Sequence, residues 1–453
     1  MRIINFTLPA LLIAAAMALF SGCVPKPENV PAAAIEVKGY AGREINPLFF
    51  GFNYWDWVDK WGNRVSNTEN LVKPLKIALL RAGGINNDAE QPQELSGRFL
   101  SQFGDYCRMV GAEPLLQVPM ISRVSTAGRI ARATNLIRDF ILRGYPLRYV
   151  SIGNEPDGYI WLEKNNGIKA NGVRLDNFKI NEYIDNFTNI SAAIKREFPG
   201  IRIVGPDIGW NYTGWIDPFL ASCRPYVDII SVHRYPYWPV EKATYGAAMA
   251  EFDNLKSFYS EIRDLSALHG GGLPLIIGEM GPSADGDTSK PSGFAMPGSF
   301  GSALWYADNI GVSSSEPMLL SIMPWCISQD WRNGFIRPVT QRLEPEYYTY
   351  LLFSNHMKKY LIFMGKTGET GRVYAYRDQE GNVSLFCVNW SRNSSRDITI
   401  KFTGILGNAE ITYRFEPFSL TCLEISKDLS LKKAYTYTKE MADSGRQFSS
   451  ADF

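Results

Sequence analysis

The feature that most constrains this chain is an alternation. Between about residues 46 and 357, short apolar runs are separated by longer stretches in which apolar residues recur at helical spacing. The runs are Leu48–Trp55, Ile77–Gly83, Pro114–Met120, Arg148–Asn154, Arg202–Ile208, Asp228–Pro236, Pro274–Gly281 and Met318–Cys326. Several are nearly continuously apolar, as parallel strands covered on both faces must be. The intervening patterns, clearest at 95–110 and 129–142 and present at 181–198, 247–268 and 345–357, predict amphipathic helices. This predicts an α/β fold, a (β/α)8 TIM barrel over 46–357. A doubly wound open sheet is the alternative, but no glycine-rich phosphate loop follows any run.

Polar and aromatic residues gather where these runs end. Asn53, Tyr54 and Trp55, Arg81, Gln117, Asn154 and Glu155, Asp207, His233 with Tyr235, Glu279 and Trp325 all occupy that phase. In a barrel, the C-terminal strand ends form the active-site face. Two glutamates stand out, Glu155 in "SIGNEPDGY" and Glu279 in "LIIGEMGPS". Each follows an apolar strand and a glycine. They fall on the fourth and seventh strands, so they face each other across an eight-strand ring. Either alone reads equally well as a loop carboxylate or a structural ion pair. Together they suit glycosidic cleavage, which needs one carboxyl to protonate the leaving oxygen and another to attack the anomeric carbon or activate water.

The Asn-Glu-Pro on the fourth strand and the glutamate ending the seventh resemble clan A of the glycoside hydrolases. The segments "LLRAGG", "GNEPD", "VGPD" and "SVHRYP" are similar to motifs of the heparanase and β-glucuronidase family (glycoside hydrolase family 79) within that clan. The resemblance implies a retaining β-glycoside hydrolase with Glu155 as acid/base and Glu279 as nucleophile. It leans toward a uronic acid-containing substrate, with a neutral β-glucan or xylan as the other option. On this reading Asn154 donates to the sugar 2-hydroxyl, Arg81 holds Glu279 ionised, Tyr235 orients it, and His233 meets a sugar hydroxyl or Glu155. Trp325 floors the reacting-sugar subsite, and Asn53, Tyr54, Trp55, Asp207 and Trp210 are further subsite candidates. A retaining double displacement predicts carboxyls roughly 5 Å apart, with Glu155 titrating above Glu279; roughly 8 Å would indicate inversion. A non-catalytic carbohydrate-binding lipoprotein and a transglycosidase are the competing readings.

The pattern changes after residue 358. Runs at 371–377, 383–390, 396–402, 409–415 and 420–425 with intervening turn signals predict a β-sandwich over 358–426, which the early run at 34–45 joins. Residues 427–453 read as a polar tail. At the N-terminus, Arg2 and the apolar run 8–20 precede Ser21-Gly22-Cys23. Residues 1–22 resemble a bacterial lipoprotein signal peptide, with Cys23 as the lipidated residue and 23–33 as a tether. The chain is expected in the cell envelope, meeting a membrane only through that lipid. A net charge of +1 gives no reason to expect nucleic acid. Five further cysteines are dispersed, with a Cys387–Cys422 disulfide possible, and the three histidines lack metal-ligand spacing. No metal or cofactor is expected. The 13% aromatic content suits either a large core or stacking platforms for sugar rings.

Overall fold

The computed structural model describes residues 33–39, 42–55, 65, 67–84, 88, 97–120, 125–160, 178–284, 293–329, 333–404 and 407–453. Cys23 and the segment before it lie outside the described residues. The chain begins with β1 (Ala33–Gly39) and β2 (Arg43–Glu44). Eight strand–helix units follow: β3 (Gly51–Tyr54) and α1 (Glu69–Val72), β4 (Leu79–Ala82) and α2 (Gly97–Val110), β5 (Glu113–Val118) and α3 (Thr126–Leu142), β6 (Tyr149–Ile152) and α4 (Ile180–Glu197). They continue through β7 (Arg202–Ile208) and α5 (Tyr212–Cys223), β8 (Ile229–Arg234) and α6 (Tyr245–Leu268), β9 (Leu275–Met280) and α7 (Phe300–Ser313), β10 (Leu319–Pro324) and α8 (Pro345–His356).

Strands β3 to β10 pair in parallel in chain order. A parallel bridge from Phe50 to Ile322 joins the two edges, with Ile322 N donating to Phe49 O at 3.0 Å, so the sheet closes as a barrel. All eight apolar runs became barrel strands. One face of strands β4 to β10 fills the barrel floor with Leu79, Leu115, Tyr149, Val204, Ile229, Ile276 and Leu320, against which Leu48 packs just before β3. The other face packs under the helices in the main core. Short polar side chains cap four of the helices: Ser125, Asn211, Thr244 and Ser299 each accept a backbone N–H of the first turn.

Beyond the barrel come β11 (Tyr360–Thr367), β12 (Gly371–Arg377), β13 (Val383–Asn389), β14 (Arg396–Gly404), β15 (Ala409–Phe415), β16 (Ser419–Ile425), β17 (Leu431–Thr438), α9 (Lys439–Asp443) and β18 (Ser449–Asp452). A seven-stranded sheet (β18-β17-β16-β13-β12-β11-β2) lies against a three-stranded one (β1-β14-β15). Strands β12 and β13 are buried along nearly their whole length because both faces are covered. Val373, Leu385 and Leu423 meet Ile398 and Ile400 of the small sheet, while Phe386 stacks on Phe353 of α8 at 4.0 Å. Buried Asp308 of α7 ties barrel to sandwich by accepting from Tyr374 Oη (2.7 Å) and Trp390 Nε1 (2.8 Å), and burial pushes its carboxyl up to about 6.

Two expectations need correction here. Residues 427–453 are not a structureless tail: β17 pairs along β16 from Ser419–Thr438 to Ile425–Leu431, and β18 adds to β17. The strand buries only two side chains, Ala434 toward the small sheet and Tyr437 toward the barrel, among lysines and threonines, so its sequence reads as polar. Cys387 and Cys422 do not pair; all five described cysteines are free and buried. Cys422 stands opposite Phe386 and Cys387 opposite Thr421. The two thiols therefore point to opposite faces of the sheet, one toward the barrel and one toward the small sheet.

Candidate active site

Each of the eight barrel strands delivers a polar or aromatic side chain at its C-terminal end. The centre of the constellation is Arg81 of β4, which is wholly buried. Its Nη1 donates to Asn53 Oδ1 and to Glu279 Oε1, both at 3.0 Å. Its Nη2 donates to Asn154 Oδ1 at 2.6 Å, Asp207 Oδ2 at 3.2 Å and Gln117 Oε1 at 3.3 Å. One planar guanidinium thus reaches acceptors from five strands or their ends, which a lysine ammonium on a single point cannot match.

The glutamates meet around His233. Its Nδ1 is 2.9 Å from Glu155 Oε1 and 3.7 Å from Glu279 Oε2. One oxygen of each glutamate and one imidazole nitrogen lie within 4.8 Å of one another. Tyr235 Oη donates to Glu279 Oε2 at 3.0 Å, so both oxygens of that carboxylate are held. Behind the histidine, Nε2 is 3.7 Å from Asp207 Oδ1, and that oxygen also accepts from Ser231 Oγ. Gly278 makes room for this group: a Cβ there would stand 2.8 Å from Ser231 Oγ and 3.1 Å from both Asp207 Oδ1 and His233 Nε2.

The backbone around Glu155 is unusual. Glu155 and Asp207 both adopt left-handed conformations, at φ 48° and 55°. For non-glycine residues each such conformation costs on the order of 1–3 kcal/mol and persists only where neighbours impose it. Here Glu155 N donates to Asp207 O at 2.8 Å, linking the two. Asp88 accepts from Asn154 N at 2.9 Å and Met120 N at 2.5 Å, and from Tyr159 Oη. Asp157 accepts from Gly209 N (3.0 Å), Trp210 N (2.7 Å) and Asn211 N (2.9 Å), which clamps the loop after β7 to the turn after Glu155. Asp88, Asp157, Ser231, Gly209 and Gly278 were not singled out from the sequence. Asp157, Ser231 and Gly278 lay inside segments already marked, "GNEPD", "SVHRYP" and "LIIGEMGPS", whereas Asp88 and Gly209 lay outside them.

Burial disfavours a charged imidazole, but the Glu279 charge, with Asp207 and Glu155, overcomes it and pushes His233 up to about 10. Burial also disfavours charge on Asp207, yet Arg81 and His233 hold its carboxyl well below the usual carboxylate range. For Glu279, burial raises the carboxyl while His233 and Arg81 pull it back. Burial thus acts on Glu279, 6% exposed and deeper than the half-buried Glu155, and so opposes the expected order in which Glu155 titrates above Glu279. The positive charges beside Glu279, rather than solvent, are what favour its ionised form.

The His233 shift has a stability consequence. Its folded value lies above the ordinary 6.5, so protonation stabilises the fold fully below pH 6.5, and the contribution is lost as pH rises through 10. The expected size is on the order of a few kcal/mol. The Tm gap between wild type and His233→Asn should be widest near pH 6 and shrink toward pH 10; a gap independent of pH would refute a protonated His233.

Several expected sugar contacts turn out to be supports. Asn53 is buried, with Nδ2 donating to Gly278 O (2.9 Å), Met323 O and Pro324 O, and Oδ1 taken by Arg81. Asp207 is equally buried and meets Arg81, Ser231 and His233. Tyr54 points to the helix layer, its ring 5.3 Å from Phe103 and 5.2 Å from Tyr106. Trp55 is buried and packs at 5.1 Å against half-buried Trp325. With Oδ1 of Asn154 held by Arg81, its Nδ2 is the amide donor that remains for a ligand. Glu155, His233 and Glu279 form the described trio able to approach a cation. Arg81 and protonated His233 already supply two positive charges there, so a resident metal does not fit the cluster.

Residues 181–296 match the family described as the glycosyl hydrolase catalytic core. Comparison with curated proteins gives no significant sequence match. Solved structures share the fold across most of the chain. An α-L-arabinofuranosidase from Thermotoga maritima has a TM-score of 0.67 at 16% identity, covering 87% of this chain and 100% of its own. A family 44 xyloglucanase from Paenibacillus polymyxa has a TM-score of 0.63 at 13% identity, over 86% of this chain and 98% of its own. A monomeric β-xylosidase from Caulobacter crescentus has a TM-score of 0.59 at 13% identity, over 82% and 84%. Over 181–296, then, the chain matches a glycosyl hydrolase catalytic core, carried on the same barrel-and-sandwich fold as these three enzymes.

Proposed function

We propose that this protein is a retaining β-glycoside hydrolase that cleaves poly- or oligosaccharides by double displacement, with Glu155 as acid/base and Glu279 as nucleophile. One observation carries the reading: oxygens of the two glutamates approach within 4.8 Å across His233. Retaining enzymes hold their carboxyls roughly 5–5.5 Å apart, whereas inverting enzymes leave roughly 6.5–9.5 Å for a water. The charge balance supports the same roles. Arg81 and His233 match the charges of Glu279 and Asp207, so the cluster is neutral when Glu155 carries the proton needed for the leaving oxygen. Glu279 attacks the anomeric carbon as Glu155 gives its proton to the departing oxygen. Glu155 then takes a proton from water as that water displaces Glu279. Proton NMR of the first-released sugar from aryl β-glucuronide, β-glucoside and β-xyloside substrates tests this. The β anomer is expected to appear first; the α anomer would overturn double displacement.

The same proposal places the chain in the cell envelope, anchored through Cys23. The apolar run and Ser21-Gly22-Cys23 support it. Metabolic labelling with a palmitate analogue should mark the wild type and not Cys23→Ala; equal labelling would sink the anchor.

A further inference from the structure

A general acid must touch the glycosidic oxygen. The sugar attached to that oxygen, the one that departs, therefore lies against Glu155 on the side away from Glu279. In this protein the loop after β7 occupies that neighbourhood. Gly209 packs directly on the Glu155 carboxyl, since a Cβ there would stand 3.0 Å from Oε1 and 3.2 Å from Cδ. The next residue is Trp210, with 48% of its surface exposed, although large apolar side chains are rarely left so open among the described residues. Its indole lies on the turn that follows Glu155: a Cβ at Gly158 would be 2.1 Å from Trp210 Cζ3, so only glycine admits the ring. The backbone beneath it is tied down by Asp157, which takes the N–H groups of 209, 210 and 211 on its two oxygens. Asn211 then caps α5. A carboxylate, two glycines and a helix cap thus fix a tryptophan whose exposure contributes little to folding.

We propose that Trp210 forms the floor of the leaving-group subsite and stacks on the sugar ring attached to the departing oxygen. This rests on Glu155 being the acid. It gives that substrate class a structural basis: a sugar ring is bound on both sides of the cleaved bond, which favours an oligosaccharide or polysaccharide over a glycoside of a small alcohol. The apolar C–H face of a pyranose suits an indole plane, and burying it there is worth about a 10- to 100-fold change in kcat/KM.

The test compares two substrates sharing one reacting sugar: a β-linked oligosaccharide and the corresponding methyl β-glycoside, whose leaving group has no ring but still needs a proton from Glu155. Trp210→Ala is expected to lower kcat/KM on the oligosaccharide about 10- to 100-fold, with Trp210→Phe in between. Methyl glycoside hydrolysis should stay within about threefold, which also shows that the loop still positions Glu155. An equal loss on both substrates would make Trp210 a merely structural support, and no loss on the oligosaccharide would remove it from the subsite. Glu279→Ala reads the catalytic assignment separately, because it should abolish turnover of both substrates. A Glu279→Ala variant that keeps wild-type turnover overturns that assignment and leaves the Trp210 ratio to be judged by itself, whereas a wild type inert on every substrate overturns both.

Discussion

Replacing Glu279 with Gln should abolish turnover of every substrate the wild type cleaves, with kcat down roughly 10⁴-fold or more, equivalent to about 5 kcal/mol of transition-state stabilisation. The physical case is local. Glutamine has the same shape, its Oε1 can still accept from Arg81, and its amide can face Tyr235 Oη, so the fold and ligand binding should survive. What disappears is the nucleophilic oxygen and one negative charge beside two cations. The matching change, Glu155→Ala, should behave differently. Substrates with poor leaving groups should lose roughly 10²- to 10⁴-fold, the usual worth of general acid catalysis. Activated aryl glycosides should still form the glycosyl-enzyme, and azide should intercept it to give a β-glycosyl azide. Wild-type kcat in Glu279→Gln, or an α-glycosyl azide from Glu155→Ala, would reverse or refute the assigned roles.

The second large effect is expected at Arg81. Arg81→Ala removes the counter-charge from two buried carboxylates, Asp207 and Glu279, together with hydrogen bonds to Asn53, Gln117 and Asn154. Breaking a buried ion pair from one side costs about 3–5 kcal/mol, because the orphaned charge stays out of water. Urea unfolding should show a loss of that size. The enzyme that remains folded should also change its pH profile. Burial already raises the Glu279 carboxyl, and Arg81 is one of the groups pulling it down. Without Arg81, Glu279 stays protonated to higher pH, so the acidic limb of kcat/KM moves upward. Arg81→Lys should recover part of the stability and little of the pH shift, since one ammonium cannot span acceptors on both sides. A variant less than 1 kcal/mol destabilised, with an unmoved acidic limb, would show that Arg81 does not carry the cluster.

Much of this molecule can be read from its residues in order. Eight apolar runs foretell eight strands because a strand covered on both faces has no place for a polar alternation, and a count of eight with intervening helices suits closure. The phase of Glu155 and Glu279 at strand ends, one after Gly153 and the other after Gly278, follows from that register. Where few positions are apolar or the register breaks the signal weakens: β17, with two buried side chains, was hidden among lysines and threonines, and β11, interrupted by a register shift near Leu361 and Phe363, went unmarked.

Roles within the cluster belong to the tertiary structure. Asn53, Arg81 and Asp207 sit at the same phase as the two glutamates, yet they are buried, and Asn53 and Asp207 hold Arg81, which in turn holds Glu279. Their proximity depends on bringing together residues up to 271 positions apart, as between Asn53 and Pro324. Which glutamate is buried, which charge offsets it, and whether Cys387 and Cys422 share a face are likewise set by closure of the ring and packing of the sheets. Periodicity along a chain reports which side of a strand is apolar. It carries no information on which distant strand will stand opposite, and electrostatics and hydrogen bonding operate across that gap.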